Sequence, residues 1–82
     1  MITFRFIPAS AEEKKAKFEI TYDPADVADR EKLDAFEETI KPYYSFISIS
    51  GGNNVRTVSC SDKQYIEVVE KFLTEAKIDP EK

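Results

Sequence analysis

Apolar side chains at Ile2, Phe4 and Phe6 alternate with Thr3 and Arg5, the two-residue period of a strand with one buried face, and Pro8 ends the run. The same alternation returns at Phe18, Ile20 and Tyr22, set against Lys17, Glu19 and Thr21, after the polar connection ASAEEKK. These two runs predict a β-hairpin. The period then lengthens: Val27, Leu33, Phe36 and Ile40, with Ala35 nearby, form one stripe of a helix that faces a core. Asp23 is the expected N-cap, with Pro24 at the first helical position, where its missing N–H costs nothing, and Asp29 is an alternative cap. Pro42 closes this helix.

The second half repeats the grammar. Ile47 and Ile49 alternate with Ser48 and Ser50, and Val58 and Cys60 with Thr57 and Ser59. Ser61-Asp62-Lys63-Gln64 then fits a capping box, the Ser hydroxyl serving the N3 amide and the Gln reaching back. Tyr65, Val69, Phe72 and Ala76, with Ile66 and Leu73 beside them, predict a second amphipathic helix, stopped by Asp79-Pro80. The order strand, strand, helix, strand, strand, helix describes one α+β domain over residues 1–82, built from two tandem ββα units, approximately 1–42 and 43–82. One apolar face per strand and one stripe per helix are buried together by a four-stranded antiparallel sheet carrying both helices on one face. The other sheet face is left open.

Gly51 and Gly52 are the only glycines, and they sit between two strands in ISISGGNNVRTVSC. A phosphate cradle needs a glycine loop that leads into a helix N-terminus. Here the glycines lead into the β-branched run Val55-Arg56-Thr57-Val58, so the stretch predicts a hairpin. With Gly52-Asn53 as a two-residue loop of type I′ or II′, Gly51 faces Asn54 and the ladder runs outward through Ser50–Val55 and Ile49–Arg56 to Ile47–Val58. That register gathers Ile47, Ile49, Val58 and Cys60 on one face, with Arg56 the one charge among them. Ser48, Ser50, Thr57 and Ser59 fall on the other face, with Phe46 and Val55.

Composition removes several kinds of chemistry. The chain has no histidine and one cysteine, so it builds no internal disulfide, no ordinary Cys/His zinc site and no histidine-based triad. Cys60 reads as a small core hydrophobe rather than a reactive thiol. No apolar run approaches a bilayer span, and Arg5 interrupts the stretch where a secretory signal would need apolar residues, which predicts a cytoplasmic protein. The net charge of −4 is uneven: residues 23–38 hold two bases against seven acids, whereas residues 39–61 hold two bases and no acid. An acidic chain of this kind lacks the Lys/Arg surface that gives general affinity for nucleic acid.

Three groups of residues remain as candidate sites. Asp26, Asp29, Asp34, Glu37 and Glu38 share the first helix; as pairs they have the spacing for acid–base work or a divalent cation, but that needs a desolvating cleft, so the expected role is an acidic face for a protein partner with a basic surface. Tyr43, Tyr44 and Phe46 put three aromatics in four positions, and in extended chain at least one must face outward, as an interface anchor does. Arg5, Lys15, Lys17 and Arg56, with Ile7, Phe46 and Val55, lie on or beside the open sheet surface and make a single-stranded nucleic-acid face the alternative. No catalytic residue, metal site or cofactor is expected. The reading is a small acidic, non-enzymatic protein-binding module, in its more specific form an inhibitor of a nucleic-acid-handling complex such as a phage-encoded anti-defence protein. Dimerisation through a sheet edge fits the same features.

Overall fold

The computed structural model describes residues 1–12 and 14–81; Glu13, within the expected first hairpin connection, lies outside the described residues. The strands are β1 (Thr3–Ile7), β2 (Ala16–Thr21), β3 (Ile47–Gly51), β4 (Val55–Cys60) and β5 (Asp79–Pro80), and the helices are α1 (Val27–Ile40) and α2 (Gln64–Glu75). A 3-10 turn, Lys41–Tyr43, follows α1. The sheet has the order β3-β4-β2-β1-β5. β1, β2, β4 and β3 pair antiparallel, and β5 lies parallel to β1. The α+β class therefore holds, but the sheet is five-stranded and mixed where the sequence predicts four antiparallel strands.

The two ββα units meet through their second strands, β2 and β4. A two-fold drawn between these strands would exchange β1 with β3 and α1 with α2. Phe18 and Ile20 of β2, Val58 of β4 and Ile47 of β3 point to the covered face, under Leu33, Phe36 and Ile40 of α1 and Val69 and Leu73 of α2. All are buried, and a fully buried side chain of the size of Phe18 or Phe36 contributes about 2–3 kcal/mol by leaving water. The opposite face carries Arg5, Lys17, Glu19, Thr57 and Ser59, which are exposed or half-buried.

Element boundaries depart from the sequence pattern where polar side chains compete for the backbone. The Asp23 carboxylate accepts the Ala25 N–H at 2.9 Å and its carbonyl accepts the Asp26 N–H at 3.0 Å, so residues 23–26 form a turn and α1 starts one turn later than predicted. Asp26 is the N-cap, accepting from the Ala28 and Asp29 amides. Val27 consequently lies outside the buried stripe and is exposed. At α2 the expected Ser61 cap is replaced: the Ser61 N–H still bonds the Phe46 carbonyl at 3.1 Å, in line with the sheet, and Asp62 Oδ1 takes the Gln64 N–H at 3.2 Å.

The end of α2 produces the strand that the sequence pattern missed. Lys77 is left-handed at φ 62°. Its N–H bonds the Thr74 carbonyl, and the Ile78 N–H reaches back to the Leu73 carbonyl at 2.9 Å, a Schellman arrangement with Lys77 where glycine is usual. Ile78, buried beside Leu73, then turns the chain so that Asp79 and Pro80 run along β1, and the Glu81 N–H bonds the Phe4 carbonyl at 2.7 Å. The helix is thus stopped by this cap, ahead of the expected Asp79-Pro80, which instead forms an edge strand, a place where proline is tolerated.

The second hairpin keeps its predicted faces and changes its pairing. Gly51 pairs with Arg56, Ser50 with Thr57, Ile49 with Val58, Ser48 with Ser59 and Ile47 with Cys60, a slide of two residues from the expected register. A slide of two leaves every side chain on its original face. The turn is closed by the Gly52 N–H on the Val55 carbonyl at 3.0 Å, with Asn53 and Asn54 at its centre. Neither glycine has a positive φ, and Lys77 alone among the described non-glycine residues does, so the turn is neither type I′ nor type II′. Gly51 is required for room: a Cβ there would collide with the Val55 carbonyl oxygen and come within 2.9 Å of the Arg56 Cα. A Cβ on Gly52 would meet nothing within 4 Å.

Candidate functional site

The acidic residues of α1 do not form one surface. Asp29 is 3 % exposed: its Oδ2 accepts the Asp23 N–H at 3.0 Å and lies 3.1 Å from the Met1 amino group. The Asp23 amide holds this carboxyl below its ordinary range, against the desolvation that would raise it, and the Met1 ammonium and Lys32 add to the lowering. Asp26 is used as the helix cap. Glu37 turns toward the sheet, its Oε1 3.6 Å from Arg56 Nε. Glu38 is exposed and bound to Lys41 at 2.9 Å. Asp34 is exposed, so the outward acids of the predicted set are Asp34 and Glu38.

The basic set is divided as well. Arg5 is on the open sheet face, where its guanidinium meets Glu19 at 2.6 Å, and Lys17 lies on the same face beside Ser59. Lys15, just ahead of β2, is exposed. Arg56 is not with them. It pairs with Ile20 on β2, which is a core position, so its side chain runs beneath α1 toward Glu37, and its Nε is buried without a hydrogen bond. Arg56 thus keeps the face that the hairpin pattern assigns it, with Ile49 and Val58, and its grouping with Arg5, Lys15 and Lys17 beside the open face is corrected.

Phe46 leaves the open face too. It precedes β3, and its ring stacks on Tyr65 of α2, with centroids 4.8 Å apart and 12° between planes. Tyr43 packs inward against Tyr65 and Phe72. Tyr44 points outward. Tyr44 and Phe46 remain 50 % and 46 % exposed, large for aromatic rings in a chain this size. Cys60 is buried on the covered face and burial pushes its thiol up, which suits an inert core position. Among the described residues no cluster of three metal-ligating side chains occurs, and no helix is long and apolar enough to cross a membrane.

The feature that sequence reasoning did not single out is the free edge of β3. In an antiparallel pair, alternate residues aim their N–H and C=O groups at the neighbouring strand. Gly52 bonds Val55 and Phe46 bonds Ser61, so Phe46, Ser48, Ser50 and Gly52 face β4. Ile47, Ile49 and Gly51 therefore direct their amides and carbonyls outward from the sheet. Beside them runs a groove of about 320 Å³ lined by Tyr44, Ile47, Ser48 and Ile49. No charged residue occurs between Lys41 and Arg56, the stretch that contains this edge, its turn and both outward aromatics. The charge count was readable from the sequence; the placement of β3 at the rim of the sheet was not. No known family model, curated protein or solved structure matches this chain.

Proposed function

We propose that the chain is a non-enzymatic protein-binding module that takes up an extended protein segment along β3. One observation carries this reading: an edge strand with outward main-chain groups at Ile47, Ile49 and Gly51 is bordered by a groove lined by Tyr44, Ile47, Ser48 and Ile49, within a stretch of chain, residues 42–55, that holds no charged side chain. Strand addition of this kind draws affinity from main-chain hydrogen bonds and selectivity from pockets for alternate side chains. Tyr44 is the anchor next to those bonds. The acids contribute less than their number suggests, because Asp26, Asp29 and Glu37 are engaged within the fold and Glu38 is paired with Lys41; Asp34 is left to steer a basic partner toward the surface. Occlusion of a nucleic-acid-handling complex by a phage-encoded chain is a finer form of the same reading and rests on size and net charge alone.

Capture from extracts of the source cells tests the edge. The wild-type chain is expected to retain one protein in stoichiometric amount, either a different chain or an untagged native copy. Ile49→Pro removes an outward amide that the β3–β4 ladder does not use, and should lose that protein, while Ile49→Val keeps it. Recovery of nucleic acid alone, released by nuclease, would sink the proposal in favour of the open-face alternative.

A further inference from the structure

Residues 47–51 read Ile-Ser-Ile-Ser-Gly, a pattern that is nearly its own reverse about Ile49. We infer that the segment taken up by β3 is the β3 of a second copy of this chain, antiparallel across a two-fold at Ile49; this inference rests on the edge reading proposed above. In that register Ile49 faces its own counterpart and Ile47 faces Gly51 of the other copy. All three are outward residues, so every such pair exchanges both N–H···O bonds. Sliding the register either way sets one of them opposite residues outside β3.

The side chains fit the same two-fold. Ile47 and Ile49 lie on the covered face and Ser48 and Ser50 on the open one, so apolar meets apolar and hydroxyl meets hydroxyl across the seam. Gly51, which has no Cβ because Val55 approaches it, leaves space for Ile47 of the second copy. The chain carries a charge of −4, yet nothing between Lys41 and Arg56 is charged, so no like-charge pair faces across the joint. A segment from another protein would have to supply this reciprocity by chance; a second copy has it by construction. The joint also closes on itself. Each β3 edge is consumed, and the far edge of each sheet is the two-residue β5, with Asp79 and Pro80, which blunts further growth.

Sedimentation velocity over a dilution series tests this. The wild-type chain is expected to move from dimer to monomer on dilution. In S48K/S50K the introduced lysines of one copy face those of the other twice, which should raise the dissociation constant about tenfold or more. In S48K/S50E each introduced lysine faces an introduced glutamate, so the dimer should return. Ile49→Pro should be monomeric with an unchanged far-ultraviolet circular dichroism spectrum. A wild-type chain that stays monomeric at the highest attainable concentration overturns the inference, and so does a dimer indifferent to S48K/S50K and Ile49→Pro. If the wild type is monomeric while Ile49→Pro still loses a different captured chain, self-pairing alone fails and the edge reading stands; if Ile49→Pro loses nothing, both fail.

Discussion

The two rims of this sheet are topological equivalents with opposite fates. β1 and β3 each open a ββα unit and each lie outside the strand that joins the units. After α2 the chain continues along β1 as β5, with Pro80 and the acids Asp79 and Glu81 at its margin. After α1 the corresponding segment winds through the 3-10 turn at Lys41–Tyr43 and enters β3 itself, so among the described residues no strand lies along the outer side of β3. One rim shows the devices by which proteins suppress edge pairing, a short strand, proline and charge, while the other has outward main-chain groups and a strand with no charged side chain of its own. With the topology equivalent, the outcome is decided by the path of the chain beyond each helix.

The strongest way to break this contrast is to uncover β1. Ile78 is buried and anchors β5 next to Leu73, so Ile78→Ala should cost about 3 kcal/mol, read from the denaturant midpoint, and should make the chain associate beyond a dimer as a second edge opens. On the open rim, Gly51→Ala forces a Cβ onto the Val55 carbonyl and should cost about 2 kcal/mol, whereas Gly52→Ala should stay within about 0.5 kcal/mol.

A third effect separates the rims by pH. The Asp29 carboxyl is held below its ordinary value of 3.8 in the folded state. A depressed folded pKa gives stability that is present above the unfolded value and lost as pH falls through the folded one. Asp29 ties the start of α1 to Met1, next to β1, and to Asp23, just after β2. Acid should therefore speed hydrogen exchange in β1 and β5 before β3 and β4, and Asp29→Asn should cost about 1–2 kcal/mol at neutral pH while flattening the acid limb. The smallest expected change is a gain: Lys77→Gly relieves the left-handed residue that launches β5 and should stabilise by about 0.5–1 kcal/mol.

Most of the core was legible because parity survives errors of register. Ile47, Ile49, Val58 and Cys60 share the covered face in the structure as their alternation predicts, although each pairs two residues away from its expected partner. The slide traces to the turn, where glycine suggested positive φ but was needed for close approach at Gly51. β5 was not legible, since a two-residue edge strand containing proline has no alternation to detect. The candidate site was legible in part. Tyr43 packs inward and Tyr44 and Phe46 are half exposed, but the segment is a 3-10 turn and the turn after it rather than the extended chain from which the sequence pattern argues. The acids were misleading as a group because an Asp on a polar helix looks solvated; Asp29 is buried by partners, Asp23 and Met1, that only the fold brings to it.

The chargeless stretch from residue 42 to 55 also fixes how this protein should respond to ionic strength. Contacts made there have no Coulomb attraction for added electrolyte to screen, and the one long-range force between two copies is the repulsion of their like net charges. Raising the salt concentration should then tighten the association through β3, the reverse of the steep weakening by which phosphate-binding surfaces are known.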